Sequence, residues 1–328
     1  DYCTMNFRYT IYGKLLADNT TIKPRTDFSS VFTETNTDTM FKSTESIAGS
    51  TPKDVYYFAG NAKNNWVKFA GFYWRIIRTN HDGSIRLLYS GTSPDTTSGY
   101  IGTSAFNSTS NDPMYVGYMY GTSGSLASNR TNASNSTIKT YIDTWYSNNL
   151  TSYTKYISTE AVYCNDRELA SGQTYSTSSK FYYSSYERLR TNQIPTYNCT
   201  NIKDAFSGSN SEAKLIYPIG LMTADEIAYA GGRVLMKLIS PYAWYYLNSS
   251  GESITESVSW WIFSPSHWAG SHSYIWRVGG SNNPGYLNSN SVGTTSLGIR
   301  PVISIKSCAL WLSGNGSSSS PYEINGGC

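Results

Sequence analysis

The chain has 328 residues, 39% of them apolar and only 14% charged, with a net charge of +3 and 29 tyrosines. That length admits one large domain or two, and Ser, Thr, Asn and Tyr fill the place of charges that ordinarily make up about a quarter of a chain. No dense Lys/Arg cluster supplies the footprint of nucleic-acid binding, and no run of 18 apolar residues supplies a membrane span.

Residues 1–52 are rich in Thr and Ser with weak periodicity, and read as an N-terminal arm or linker in which Ile11–Leu16 forms a short helix or strand. The organised domain, 53–328, opens with a strand at Val55–Phe58. Trp66–Ala70 and Phe72–Arg78 read as strands joined by a tight turn at Gly71. Asp82-Gly83 signals a hairpin turn into Ser84–Tyr89. Strict alternation puts Phe72, Trp74 and Ile76 on one face and Tyr73, Arg75 and Ile77 on the other. His81 falls in the turn and reads as solvated. A polar loop follows from Ser90 to about Asn135. Ser136 or Thr137 then caps a helix in which Ile138, Tyr141, Ile142, Trp145 and Leu150 recur at helical spacing.

Residues 165–212 read as an elaborated loop with Tyr-rich patches, and Asn165-Asp166-Arg167 as a surface turn. A second helix begins at Thr223, where Thr223-Ala224-Asp225-Glu226 spells a capping box, and Gly231-Gly232 stops it. Two apolar, β-prone blocks, Trp260–Phe263 and Ile299–Ile303, then bracket a long run of Ser, Asn, Gly, Thr, Tyr and His. The order predicts an α+β fold with two short helices, short antiparallel strands and long loops.

The bracketed run has the chemistry of a paratope: Tyr and Trp offer rigid contact area, and Ser, Asn and Gly adaptable hydrogen bonding. A binding surface of this kind needs a frame beneath it, here Trp261, Phe263, Ile299, Val302 and Ile303. Tyr274, Trp276 and Tyr286 are the expected energetic anchors, because aromatics dominate binding hot spots. Trp276 could equally be buried.

Five cysteines are present, none in a CxxC pair, so zinc-site spacing is absent. Cys164 and Cys199 flank a Ser/Tyr-rich excursion that a disulfide would close. Cys308 and Cys328 flank a probable hairpin whose loop contains their midpoint, Ser318. Cys3 is left over, with Cys308 or Cys328 as its alternative partners. Disulfides and a hydroxyl-rich surface point to an extracellular protein. No signal peptide begins at Asp1, so an exported protein is expected here in a mature or trimmed form, with any anchor preceding it. His81, His267 and His272 are the three histidines. No third ligand accompanies the last two, and no nucleophile with an orienting carboxylate is visible. No catalytic residue, metal or cofactor is therefore expected.

Together the blocks Trp66–Arg78, Asp82–Leu87, Pro218–Glu226 and Gly298–Ser304 resemble the variable proteins of bacterial diversity-generating retroelements. The resemblance is to surface proteins and pilin-like adhesins of gut Firmicutes in particular, and covers roughly residues 54–325. It implies a C-type-lectin fold of the formylglycine-generating-enzyme branch. It also implies that Asn codons in the region of about 258–300 are rewritten to many residues but never to Trp. Trp260, Trp261, Trp268 and Trp276, with Arg300, would then be fixed scaffold. His267, Ala269, Ser271, His272, Ser273, Tyr274, Arg277, Ser281, Asn282, Asn283, Tyr286, Asn288, Asn290, Thr294 and Ser296 are reachable from Asn and are the implied ligand contacts. The calcium motif of sugar-binding C-type lectins is not matched: Asn283-Pro284-Gly285 comes nearest and lacks a carboxylate. Nor do Cys308 and Cys328 fit the reactive pair of the enzyme branch.

The implied function is non-enzymatic binding to a surface protein or glycan on another cell, host or phage. The alternatives are a fixed-specificity glycan-binding adhesin or minor pilin tip, with Trp268 and Trp276 stacking on sugar rings, and a divergent enzyme of the formylglycine-generating branch.

Overall fold

The computed structural model describes residues 9–328. Cys3 lies outside the described residues. In chain order, the elements that position the site are α1 (Ile11–Asp18), β1 (Thr21–Pro24), β2 (Thr39–Glu45), β3 (Lys53–Tyr57), β4 (Trp66–Phe69), β5 (Phe72–Thr79), β6 (Ile85–Tyr89), β7 (Thr103–Ser104), α2 (Thr137–Asn149), β8 (Phe181–Tyr182), α3 (Ala224–Ala230), β9 (Trp260–Trp268), β10 (Ser273–Val278), β11 (Leu287–Ser291), β12 (Leu297–Gly298) and β13 (Val302–Ile305). The fold is mixed α+β, built on two large sheets.

The first sheet runs β1-β2-β3-β5-β6-β13, with β4 also on β5. All its pairings are antiparallel except β1 with β2. The β4–β5 turn takes left-handed φ at both Ala70 (55°) and Gly71 (82°), the geometry whose twist matches a two-residue hairpin. The second sheet runs β11-β10-β9-β12-β7, with β8 pairing the far end of β9. A single apolar cluster spans both sheets, and Trp260, Trp261, Phe263, Ile299, Val302 and Ile303 all belong to it.

The last segment of the chain ties the sheets together. β12 lies in the second sheet beside β9, and β13 in the first beside β6. Between them sits Arg300, fully buried. Its guanidinium donates to Tyr89 O at the end of β6 (3.1 Å), to Tyr245 O (2.7 Å) and to Ser90 Oγ (3.3 Å), and lies 4.8 Å from the ring centroid of Trp260 on β9. Among the described residues no carboxylate pairs with it. Burial pushes its pKa down to about 9, which leaves it a cation at neutral pH. Arg75 on β5 is held the same way, by Asn65 Oδ1 (2.7 Å), Ala62 O (3.1 Å) and the face of Trp66 (4.2 Å).

α3 starts on the expected capping box. Glu226 works beyond the helix: Oε2 accepts from Thr223 N (3.0 Å), while Oε1 accepts from Arg78 Nε (2.9 Å). Arg86 Nε lies 2.7 Å from the same Oε1 but is not aligned for a hydrogen bond. Arg78 also reaches Glu45 on β2 (2.9 Å). Burial alone would raise the Glu45 pKa, but Arg78 and His81 override it and hold it at about 2.

Several expectations need correction. Residues 9–52 are not a separate arm: Ile11 and Leu15 of α1 are buried, Ile11 N–H donates to Ala309 O (2.8 Å), and β2 is an inner strand of the first sheet. α1 and shorter helical turns therefore add to the two helices expected. His81 is not solvated, since its backbone N–H and Nδ1 both engage Glu45 Oε2 (2.6 and 3.1 Å). Asn165 and Arg167 are buried rather than in a surface turn, with Arg167 Nε on Asp204 Oδ1 at 2.6 Å. The two expected disulfides, Cys164–Cys199 and Cys308–Cys328, are present with Cα separations of 5.7 and 5.5 Å.

Arg300→Met keeps the volume but strands the carbonyls of Tyr89 and Tyr245. Urea unfolding should show a loss of about 3 kcal/mol, as for other broken buried polar networks. A change within about 0.5 kcal/mol, the ordinary size of a neutral surface substitution, would mean that the guanidinium does not clamp the sheets.

Candidate ligand-binding face

β9 and β10 form a hairpin whose tip is Ala269-Gly270-Ser271-His272, closed by Ala269 N–H on His272 O (3.0 Å). Gly270 has φ 90°, and a Cβ there would sit 2.9 Å from Ser178 O, so both conformation and space call for glycine. Pro265 sits at a register shift in β9, a place where its missing N–H interrupts no regular ladder. The scaffold tryptophans lie below: Trp260, Trp261, Trp268 and Trp276 are at most 2% exposed. Trp276 is thus no surface anchor. Its indole N–H donates to Ser185 Oγ (3.0 Å).

One face of the hairpin carries a row of half-buried rings. His267 and Tyr274 are cross-strand partners, stacked at 4.3 Å and 12°. On the other side of His267, its β8 partner Tyr182 lies 5.8 Å away. Tyr182 packs on Tyr186 at 4.2 Å, and Tyr186 stacks over buried Trp276 at 5.9 Å. The Lys180 ammonium is 4.8 Å from the Tyr182 centroid and the Arg190 guanidinium 5.7 Å from that of Tyr186. Burial, and then Lys180, push the His267 pKa down to about 4, so the imidazole is neutral at physiological pH. The row is an apolar-faced ledge with hydroxyl tips, flanked by two cations. Such a surface suits a partner presenting aromatic, hydroxyl or carboxylate groups.

The opposite face holds a second group of the predicted contacts. Arg277 donates through Nε to Asn290 Oδ1 (2.8 Å) and through Nη1 to Ser259 Oγ (2.8 Å), and Asn290 Nδ2 donates to Thr294 Oγ1 (3.3 Å). Asn288 lies cross-strand from Arg277. Burial lowers the Arg277 pKa, with Tyr286 pulling the other way. These side chains are half-buried and occupied with one another. Ser281 and Asn282 are exposed in the β10–β11 turn, where Asn283 and Tyr286 are half-buried. Ser296 is exposed and Thr294 half-buried in the loop before β12.

The fifteen predicted contacts therefore do not share one patch. Ala269, Ser271 and His272 are exposed at the tip and continue into His267 and Tyr274. The Ser281–Tyr286 turn lies at the opposite end of β10, roughly 20 Å away at about 3.3 Å per residue. Ser273 is a correction. It is fully buried, with Oγ donating to Asp112 O (2.6 Å), and cannot touch a ligand. Tyr182, Tyr186, Lys180 and Arg190 were missed by sequence reasoning. Their only signal was the Tyr-rich composition of a segment that read as loop.

Among the described residues no group of three His, Cys, Asp or Glu could hold a metal ion, and no helix is long and apolar enough to cross a membrane. In comparisons with protein-family models, curated proteins and solved structures, nothing matches this chain.

The His267 environment gives a pH prediction. A pKa below the ordinary 6.5 means the unfolded chain takes the proton first. The stability from the neutral ring is complete above pH 6.5 and is lost as pH falls toward 4. The His267 ring resonances in NMR should titrate near 4. A midpoint near 6.5 would mean that the ring is solvated and the ledge is not packed as described.

Proposed function

We propose that this is an exported or surface-displayed binding protein, non-catalytic, with a C-type-lectin-like fold, whose C-terminal hairpin presents retroelement-diversified side chains on a fixed frame. The observation that carries this reading is the division at the hairpin tip. Ala269, Ser271 and His272 are exposed, while the adjoining Trp268 and Ser273, one residue to either side, are buried. Changing the first set alters a surface without touching the packing that holds the backbone. Tyr274, His267, Tyr182 and Tyr186 would supply the contact area next to it.

The partner would be a protein or glycan on another cell, host or phage. Lys180 and Arg190 beside the ledge favour a neutral or acidic surface over a basic one. Two disulfides support a location outside the reducing cytosol. A fixed glycan site built on Trp268 and Trp276 gains no support, because neither ring is exposed.

The test is deep sequencing of the segment encoding residues 255–305 across the source population. Substitutions should concentrate at Ala269, Ser271, His272, Ser281, Asn282 and Ser296 and spare Ser273, the four tryptophans and Arg300. An invariant segment, or variation falling equally on Ser273, would end the diversification reading.

A further inference from the structure

A second surface lies along α2, and its Asn107 wall adjoins the second sheet, where Asn107 N–H donates to Val292 O (3.1 Å). Helix α2 buries Ile138, Ile142, Tyr146 and Leu150. Thr137, Tyr141, Thr144, Trp145 and Asn148 recur at three- and four-residue steps on its other side, so they form one stripe along the helix. That stripe floors an open groove of about 670 Å³, walled by Tyr120 and Asn107. This is within the ~300–1,000 Å³ of small-ligand sites.

The lining chemistry is unusual. No charged side chain lines the groove: three aromatics are joined only by Ser, Thr and Asn. Trp145 is half-buried, and its ring packs against Phe72 (5.3 Å) and Tyr89 (5.5 Å) of the first sheet. It is thus held rigidly from behind. Tyr141 is 37% exposed, with its hydroxyl tied to Ile101 O (3.3 Å). A Cβ at Gly102 would collide with that hydroxyl, so the glycine makes room for it. Asn107 is 3% exposed, and its Nδ2 has no hydrogen-bond partner. A buried amide donor left unpaired is costly. That nitrogen is closed to solvent, so Asn107 shapes the wall of the groove and does not itself reach a ligand.

We propose that this groove binds a neutral oligosaccharide. The C–H faces of pyranose rings would pack on Trp145 and Tyr141, whose aromatic faces carry negative potential. Sugar hydroxyls would take up the Thr140 and Asn148 groups, which are exposed. The absence of cations disfavours sulfated or uronic-acid chains, and the absence of carboxylates disfavours a basic peptide. None of the lining residues is among the fifteen predicted contacts, so the groove would give every copy of the protein the same glycan preference, whatever its tip displays.

The experiment is an array of neutral and acidic oligosaccharides probed with the intact protein, followed by calorimetric titration of the best ligand. Neutral glycans should bind. Tyr141→Ala should weaken binding about ten-fold, in line with the loss of one aromatic platform. Thr140→Arg, which places a long cation in the groove from an exposed position, should abolish it. Thr140→Arg should keep the parent melting temperature, while Tyr141→Ala, which gives up the bond to Ile101 O, should melt slightly lower and still fold. Tyr274→Ala should leave glycan binding unchanged, which separates this site from the hairpin ledge. No binding of any neutral glycan at millimolar concentration, binding that survives Thr140→Arg, or binding lost on Tyr274→Ala would each overturn the assignment.

Discussion

A guanidinium buried between two sheets without a counter-carboxylate sets the geometry of everything above it. Arg300 reaches the end of β6 in one sheet and the Trp260 ring of β9 in the other. A buried cation is tolerated only where its donors are satisfied, and here the acceptors are Tyr89 O and Ser90 Oγ at the end of β6 and Tyr245 O outside both sheets, while the second sheet contributes the Trp260 face. The guanidinium therefore holds the end of β6 against the Trp260 ring of β9. Pro301 continues the tie, since its carbonyl accepts from Tyr89 N at 2.9 Å. The hairpin of β9 and β10 rises from this junction, and its tip inherits that rigidity.

Separating frame from face has a physical cost that the hairpin meets in two ways. The indoles of Trp260, Trp261, Trp268 and Trp276 fill the space under the strands, so the backbone does not lean on outward side chains for support. The tip turn is held by Ala269 N–H on His272 O and by the conformational freedom of Gly270, neither of which involves a side chain proposed to vary. By contrast, Arg277, Asn290 and Thr294 hold one another through side-chain hydrogen bonds. Substitutions there would break an ordered network as well as alter a surface. The candidate face is thus graded: free at the tip and the far turn, constrained along the strands.

Local signals carried much of the fold into the sequence. The capping box at Thr223, the Asp82-Gly83 hairpin and the helical spacing from Ile138 to Leu150 all depend on residues within a turn or two of each other, and all appear where expected. The two disulfides were legible because each closes a segment of visible composition. What stayed hidden depends on distant partners. β2 looked like linker because its burial comes from β3 and from Arg78, 33 residues beyond Glu45. Ser273 reads like any other serine of its run, and only the approach of Asp112, 161 residues earlier, shows that it is inside. Tyr182 joins His267 across 85 positions of chain, a pairing that Tyr-rich composition hints at without locating. The fifteen contacts were chosen by residue type. Residue type does not report which side of a strand a side chain occupies or what distant segment packs against it.

The central claim is that the tip can change while the frame holds. Thermal melting of a small library randomised together at Ala269, Ser271, His272, Ser281, Asn282 and Ser296 tests it most directly, with a matched library at Trp268, Ser273 and Trp276 as the comparison. The account predicts that most members of the first library melt within a few degrees of the parent, as surface substitutions of about 0.5 kcal/mol or less would allow, while most of the second fail to fold. Broad loss of folding in the first library would contradict it, because the exposed residues would then be part of what holds the backbone.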